Sequence, residues 1–286
     1  MRLCIKTKTP AKINCFLRIT GRLANGYHTI YSLFRKITLW DLVFLGIDEA
    51  KGQKSSITVN VQGNPTIPVG QGNIAYRAAE LFLKETGANL HIAIQLDKHI
   101  PAGAGLGGGS SDASCVLKTL NDALGCPIGQ ERLLEMAREL GADCPFFIHE
   151  APSCVATGIG DILEPVHLPT HHYLLIMPDI HVDTGWAYGH FVLTNSEVEI
   201  SFVPEKLGAF MHWVNDFEAV VFTRFPVLKR YRDKLLEVGA KVALMTGSGS
   251  TIFGLFDSKQ SALEAIAHLR RELGPNVPRM EVVDSL

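Results

Sequence analysis

The chain has 286 residues, enough to bury a substantial core in one domain or two. Its 27 lysines and arginines nearly balance 29 aspartates and glutamates, and no basic block stands out, which argues against nucleic acid or an anionic membrane as a partner. No apolar run approaches the roughly eighteen residues of a membrane-spanning helix and the N-terminus has no signal-type stretch, so a soluble, cytoplasmic protein is expected.

Residues 2–9 alternate as a strand that Pro10 either ends or places near a sheet edge. A patterned segment over 11–20 follows, then a turn over 21–28 in which Asn25-Gly26 is the hairpin signal. Strands over 28–37, 41–47 and 56–61 make this part a mostly antiparallel sheet. From residue 73 the period changes: Ile74, Ala78, Leu81 and Phe82 recur at three and four, a helix closed by Gly87. Gly70-Gln-Gly-Asn73 before it reads equally as a nucleotide-binding edge or as a loop with an N-cap. A strand over 90–96 then leads into the densest glycines of the chain.

That segment comprises Pro101, Ala102, Gly103, Ala104, Gly105, Leu106, Gly107, Gly108, Gly109, Ser110, Ser111, Asp112 and Ala113. Each glycine loses more backbone freedom on folding than any other residue, and a capped turn needs one at most. Five of them ahead of a helix suit main-chain amides brought close to an anion, where unpaired N–H groups and the helix dipole act together. Ser110, Ser111 or Asp112 can cap the helix, or a serine can reach a phosphate or its metal. No lysine follows, which excludes a Walker A loop. Gly103, Gly105 and Gly108 match the dinucleotide pattern G-x-G-x-x-G, but so many glycines fit some register by chance. The acidic residue that pattern requires would be Asp122, where a helix gives way to a turn rather than at the end of a strand.

Helices are expected over 113–124 and 130–140, the second stopping at Gly141. Asp143 then stands as a lone carboxylate before an apolar stretch, either a turn residue or a functional one. Strands follow over 154–157 and 173–177, with a helix starting at Thr184; from 190 to 205 helix and loop are equally arguable. Helices over 205–213 and 225–238 flank Asn215-Asp-Phe-Glu218. A strand over 241–245 enters a second Gly/Ser turn, Thr246-Gly-Ser-Gly-Ser-Thr251, and returns over 252–256. A helix over 259–273 and a strand over 277–283 complete an α+β pattern rather than repeated βαβ units. The six cysteines, at 4, 15, 115, 126, 144 and 154, never form C-x-x-C and suit reduced, mostly buried thiols. No side chains have metal-ligand spacing: His171 and His172 are adjacent, and His181 with Asp183 suits a solvated turn. Trp186, Tyr188 and Phe191 are expected in the core.

Four separated segments share one resemblance. Pro10-Ala-Lys-Ile-Asn14 with Gly21-Arg-Leu-Ala-Asn-Gly-Tyr-His28, the 101–113 loop, Gly141-Ala-Asp-Cys-Pro-Phe-Phe147 and Thr246-Gly-Ser-Gly-Ser250 closely resemble the family of homoserine, galacto-, mevalonate and phosphomevalonate kinases. The likeness covers essentially the whole chain. It implies a two-part small-molecule kinase fold, with a ribosomal-protein-S5-like N-terminal half over 1–155 and a ferredoxin-like C-terminal half over 156–286. It implies ATP and Mg2+ as cofactors, and a small-molecule acceptor with a cytidine diphosphate group, phosphorylated on the 2-hydroxyl of its methylerythritol moiety in isoprenoid precursor synthesis. By the same resemblance Asp143 corresponds to the catalytic aspartate, Lys12 to the lysine that helps activate the acceptor hydroxyl, and Asn14 to the polar residue beside it. Tyr27 and His28 look like the pair that recognises the cytidine end; from the sequence alone an aromatic packing pair is the rival account.

The chain departs from the family pattern at Ala102, where methionine is usual, at Cys15, where leucine is frequent, and at Thr157, which replaces an arginine and cannot make its charge contact. Phosphoryl transfer needs positioning and charge neutralisation above all. Loop amides would hold the β- and γ-phosphates, while the Asp143 carboxylate accepts or orients the acceptor proton and Lys12 favours the developing alkoxide. Three rivals stay open: a kinase of the same family acting on homoserine, mevalonate or a sugar, a dinucleotide-dependent oxidoreductase, and a non-catalytic ATP-binding protein. Monomer and homodimer are equally compatible with the apolar faces.

Overall fold

A computed structural model describes residues 2–193, 213–274 and 277–286. Two strands organise it: β1 (Arg2–Arg22) and β2 (His28–Glu49), joined by a turn in which Gly26 takes φ 90° and Leu23 N donates to Tyr27 O at 2.7 Å. In the first stretch a strand over 2–9 and a further patterned segment were expected, and in the second two strands; in each, one strand runs through. β1 passes Pro10 without ending, pairing with β2; near an edge, a residue without an N–H removes no needed ladder bond. A strand of this length spans about 70 Å, more than one small core can cover.

Its halves accordingly bury against different cores. The chain forms two compact units, one of Met1–Ala11, Leu39–Ala102 and Gly107–Glu150, the other of Lys12–Thr38, Gly103–Leu106 and Ala151–Leu286. The units interleave along the sequence, whereas a single division after residue 155 was expected.

In the first unit β4 (Leu90–Asp97) pairs antiparallel with the second half of β2 and parallel with β3 (Ser56–Gln62). The parallel pair is connected through α1 (Ile74–Thr86), a βαβ crossover that the antiparallel expectation missed. Asn73 caps α1, its side chain accepting from Ala75 N at 2.9 Å, so the cap account of 70–73 holds. α1, α2 (Gly108–Ala123) and α3 (Gln130–Leu140) lay Phe82, Leu117, Leu120 and Leu133 on Val43, Leu45, Ile92 and Ile94 of the sheet.

In the second unit the first half of β2 pairs antiparallel with β5 (Ser153–Thr157), and β5 with β6 (Ile162–Pro165). A separate antiparallel sheet has the order β10 (Arg279–Asp284), β7 (His172–Met177), β9 (Ile252–Phe256), β8 (Val242–Met245). Against it pack α5 (Thr184–His190), α6 (Glu218–Arg224), α7 (Pro226–Glu237) and α8 (Lys259–Leu273), the last opened by a Ser258–Ser261 capping box. Leu174, Ile176, Met245 and Ile252 form its buried centre with Leu17 of β1. α6 was not expected; the helix expected over 205–213 lies outside the described residues except for Trp213, as does most of the ambiguous 190–205 stretch.

Candidate active site

The last glycines of the segment, Gly108 and Gly109, open α2, five residues earlier than the apolar period suggested. Gly107 is the N-cap at φ 71° and its carbonyl accepts from Ser111 N at 2.9 Å, the first bond of the helix. The amides of the first turn therefore have no intrahelical acceptor, the local arrangement that an anion site requires. None of Ser110, Ser111 and Asp112 is the cap; all three are inside the helix.

The two serines part company. Ser111 Oγ donates to Pro10 O at 2.6 Å and lies 2.6 Å from Thr9 Oγ1, fully buried. Ser110, half-buried, hydrogen-bonds the Cys144 thiol, whose pKa burial pushes up to about 11. One turn further on, Ser114 Oγ donates to Cys144 O at 2.8 Å. The short helix α4 (Cys144–Ile148) is thus tied to α2, and Asp143, immediately before it, is carried on a tight turn closed by Cys144 N to Gly141 O at 3.1 Å. The Asp143 side chain makes no capping hydrogen bond, and the residue lies on the turn itself.

In the second unit Lys12 and Asn14 stand together, buried. Lys12 Nζ donates to Asn14 Oδ1 at 2.8 Å and lies 4.5 Å from the centre of the Phe34 ring. Lys12 N donates to Leu106 O at 2.9 Å, Thr251 N to Ala104 O at 3.3 Å, and Thr246 Oγ1 to Gly105 O at 3.2 Å while accepting from Asn14 N at 2.9 Å. The Gly/Ser turn 246–251 therefore buttresses loop residues 103–106. A Cβ on Gly105, at φ 77°, would meet the Thr246 carbonyl oxygen at 2.1 Å, which is why no side chain is admitted there. The His181 ring closes on Gly103, within 2.7 Å of where its Cβ would be.

At the hairpin, Tyr27 is 60% exposed and its N–H donates to Asn25 Oδ1 at 3.1 Å. His28 stacks on Tyr188 of α5 with centroids 5.0 Å apart and planes 20° from parallel; partial burial and then Arg22 lower its pKa. Tyr27 is thus an exposed aromatic at the strand start, and the ring on which His28 packs is that of Tyr188.

The chain matches the family models for the GHMP kinases N terminal domain over residues 73–151 and the GHMP kinases C terminal over 203–276. It is 39% identical over 270 residues to the 4-diphosphocytidyl-2-C-methyl-D-erythritol kinase of Geobacter sp. (strain M21), covering 93% of this chain and 94% of that protein. The enzyme of the same name from Syntrophotalea carbinolica is 40% identical over the same shares. This chain belongs to the 4-diphosphocytidyl-2-C-methyl-D-erythritol kinase family of the GHMP kinases. A crystal structure of 4-(cytidine 5'-diphospho)-2C-methyl-D-erythritol kinase superposes with a TM-score of 0.81 at 33% identity, over 98% of this chain and 99% of that one. Homoserine kinase from Cytophaga hutchinsonii shares the fold at a TM-score of 0.70 and 19% identity, over 99% and 94%. The two-part α+β kinase fold follows, and with it the end of the dinucleotide alternative: Asp122 lies within α2, not at the end of a strand.

For a GHMP kinase of this kind, several structural supports of the site escaped the sequence. Thr246 and Asn215, which donates to Met245 O and Gly247 O at 2.6 and 2.8 Å, shape the second turn from over 30 residues apart in the chain. Tyr188, expected in the core, is half-buried and faces His28. Among the described residues no group of three His, Cys, Asp or Glu side chains is placed to hold a metal. Of the two serines that open α2, Ser110 is half-buried whereas Ser111 is fully buried and bonded to Pro10 O.

Proposed function

We propose that this chain transfers the γ-phosphoryl group of ATP to the 2-hydroxyl of 4-diphosphocytidyl-2-C-methyl-D-erythritol, giving the 2-phosphate and ADP for non-mevalonate isoprenoid synthesis. The observation that carries the substrate is a likeness to proteins of that name along more than nine-tenths of both chains, at 39% and 40% identity. The unpaired amides opening α2 support the phosphate role of residues 101–111. When bound, Mg2+ would offset phosphate charge, with Ser110, the less buried of the two serines, as the side chain that would help hold it. Asp143 accepts the proton of the acceptor hydroxyl or orients it; the Lys12 ammonium, fixed by Asn14, stabilises the developing alkoxide. The exposed Tyr27 ring stacks on the cytosine and His28, braced by Tyr188, reads its polar edge.

The S5-like and ferredoxin-like names belong to the same proposal. The order β10-β7-β9-β8, with helices between β7 and β8 and between β9 and β10, supports the second of them.

The test is ADP release with Mg-ATP and 4-diphosphocytidyl-2-C-methyl-D-erythritol, beside homoserine, mevalonate and no acceptor. Turnover with the cytidine compound alone is expected. Turnover with another alcohol would keep the phosphate loop and overturn the roles of Tyr27 and His28; no ADP from folded protein would overturn the catalytic assignment.

A further inference from the structure

Beside the opening of α2 the first unit holds three charges away from water. Lys98 follows β4, Asp41 lies in β2, and Asp112 is the fifth residue of α2. The Lys98 ammonium donates to one oxygen of Asp41 and one of Asp112, and the three side chains are at most 3% exposed. Two carboxylates on one ammonium carry a formal charge of −1, so the cluster does not itself attract phosphate. Nor is burial of such a group a strong source of stability, because desolvation offsets most of the attraction.

Its contacts point to another use. The second oxygen of Asp41 accepts from His99 N at 2.6 Å and Ile100 N at 2.8 Å, the two amides before Pro101. Asp112 belongs to the helix that leaves the loop, and its other oxygen is buried with no partner, so the Lys98 contact is what its carboxylate contributes. One ammonium therefore joins the chain entering the glycine segment to the chain leaving it. A Cβ on Gly108 would lie 2.9 Å from Ile100 Cγ2 and 3.4 Å from Lys98 Nζ, so the first helical residue rests directly on this support.

We propose that Lys98 is a positioning residue for the phosphate loop, clamping its two shoulders through Asp41 and Asp112 and so setting where the first-turn amides of α2 point. The clamp rests on the nucleotide role given to residues 101–111 and acts through the loop, not on the nucleotide.

Asp112→Ala cuts the exit shoulder and leaves Lys98 and Asp41 as a neutral pair, so the fold should survive. The Kd for Mg-ADP and the KM for ATP should rise about tenfold or more, since small misplacements of positioning groups have effects of this size or larger. The acceptor KM should stay within about twofold of the parent. Asp112→Asn keeps an oxygen for Lys98 and should restore most of the affinity, which a purely electrostatic role would not predict. An ADP Kd within about twofold of the parent in the alanine variant, equal rises in both KM values, or equal losses in the Ala and Asn variants would each overturn the clamp. If the alanine variant is insoluble, Lys98→Arg makes the comparison: weakened ADP binding with an unchanged acceptor KM supports the clamp, and unchanged ADP binding overturns it. A parent protein that binds no Mg-ADP overturns the nucleotide assignment and the clamp together.

Discussion

Lys12 and Asp143 are isolated charges in apolar sequence, and each is held by its neighbours in the fold: Lys12 by Asn14 and the Phe34 ring, Asp143 by the turn tied to α2. Asp143→Asn should retain ATP binding and lose turnover by at least about tenfold, the smallest effect expected of a general acid or base. A rate within a factor of about two of the parent in a single-turnover assay would remove that role. Lys12→Met should likewise lower turnover at saturating substrates. A residue outside the site makes a different prediction. Arg35, almost fully buried, donates from one guanidinium nitrogen to His171 Nδ1 at 2.8 Å and from the other to Pro169 O. Burial, then Arg35 and His172, push the His171 pKa from 6.5 down to about 4. Above pH 6.5 both folded and unfolded chains carry a neutral imidazole, so the group contributes no slope. As pH falls through the window from 6.5 to about 4 the unfolded chain takes up a proton that the folded one refuses, and stability is lost. Urea midpoints at pH 7 and pH 5 should therefore fall less in His171→Gln, which keeps an acceptor for Arg35 without the titration. Parallel falls in the two proteins would exclude His171 as a source.

At the scale of elements, two Gly-rich turns distant in sequence are packed backbone to backbone. Residues 103–106 receive hydrogen bonds from Lys12, Thr246 and Thr251, leaving no room for a side chain at Gly105. Gly105→Ala should destabilise the protein by about 1–3 kcal/mol from the positive φ alone, and more once the loop shifts away from the Thr246 carbonyl. A lower thermal midpoint together with a raised ATP KM is expected; an unchanged midpoint would mean that the turn yields. The glycine density on which the loop's proposed phosphate role rests was legible in the sequence. Its partner turn was visible as a Gly/Ser cluster and as one of the family segments, but nothing local says that two turns some 140 residues apart will meet.

At the scale of the molecule, two compact units share two long strands, and no helix among the described residues is long and apolar enough to cross a membrane. Their cores account for the thiols. Cys15, Cys144 and Cys154 are buried, Cys115 half-buried, and burial pushes all four up to about 11; Cys4 and Cys126 are exposed. The sequence expectation of mostly buried thiols therefore needs these two exceptions. An aromatic disulfide reagent at pH 8 should titrate two thiols quickly in the native protein and six in denaturant. Four or more fast thiols would contradict the burial of the cores.

Sequence alone determined whatever depends on neighbours along the chain: the periods of α1, α3, α7 and α8, the Asn25-Gly26 turn, and the glycine density ahead of α2. The motifs at 10–14 with 21–28, 101–113, 141–147 and 246–250 carried the family as well. Tertiary structure decided what depends on distance through space. It ran β1 through Pro10, began α2 at Gly108, turned Ser111 inward and left Ser110 half-buried, and set Lys98 between Asp41 and Asp112. The physical reason is the same in each case. Local propensities differ by about a kilocalorie per mole or less, whereas a buried polar group without a partner is worth about 1–3, so the partners supplied by distant segments settle the outcome.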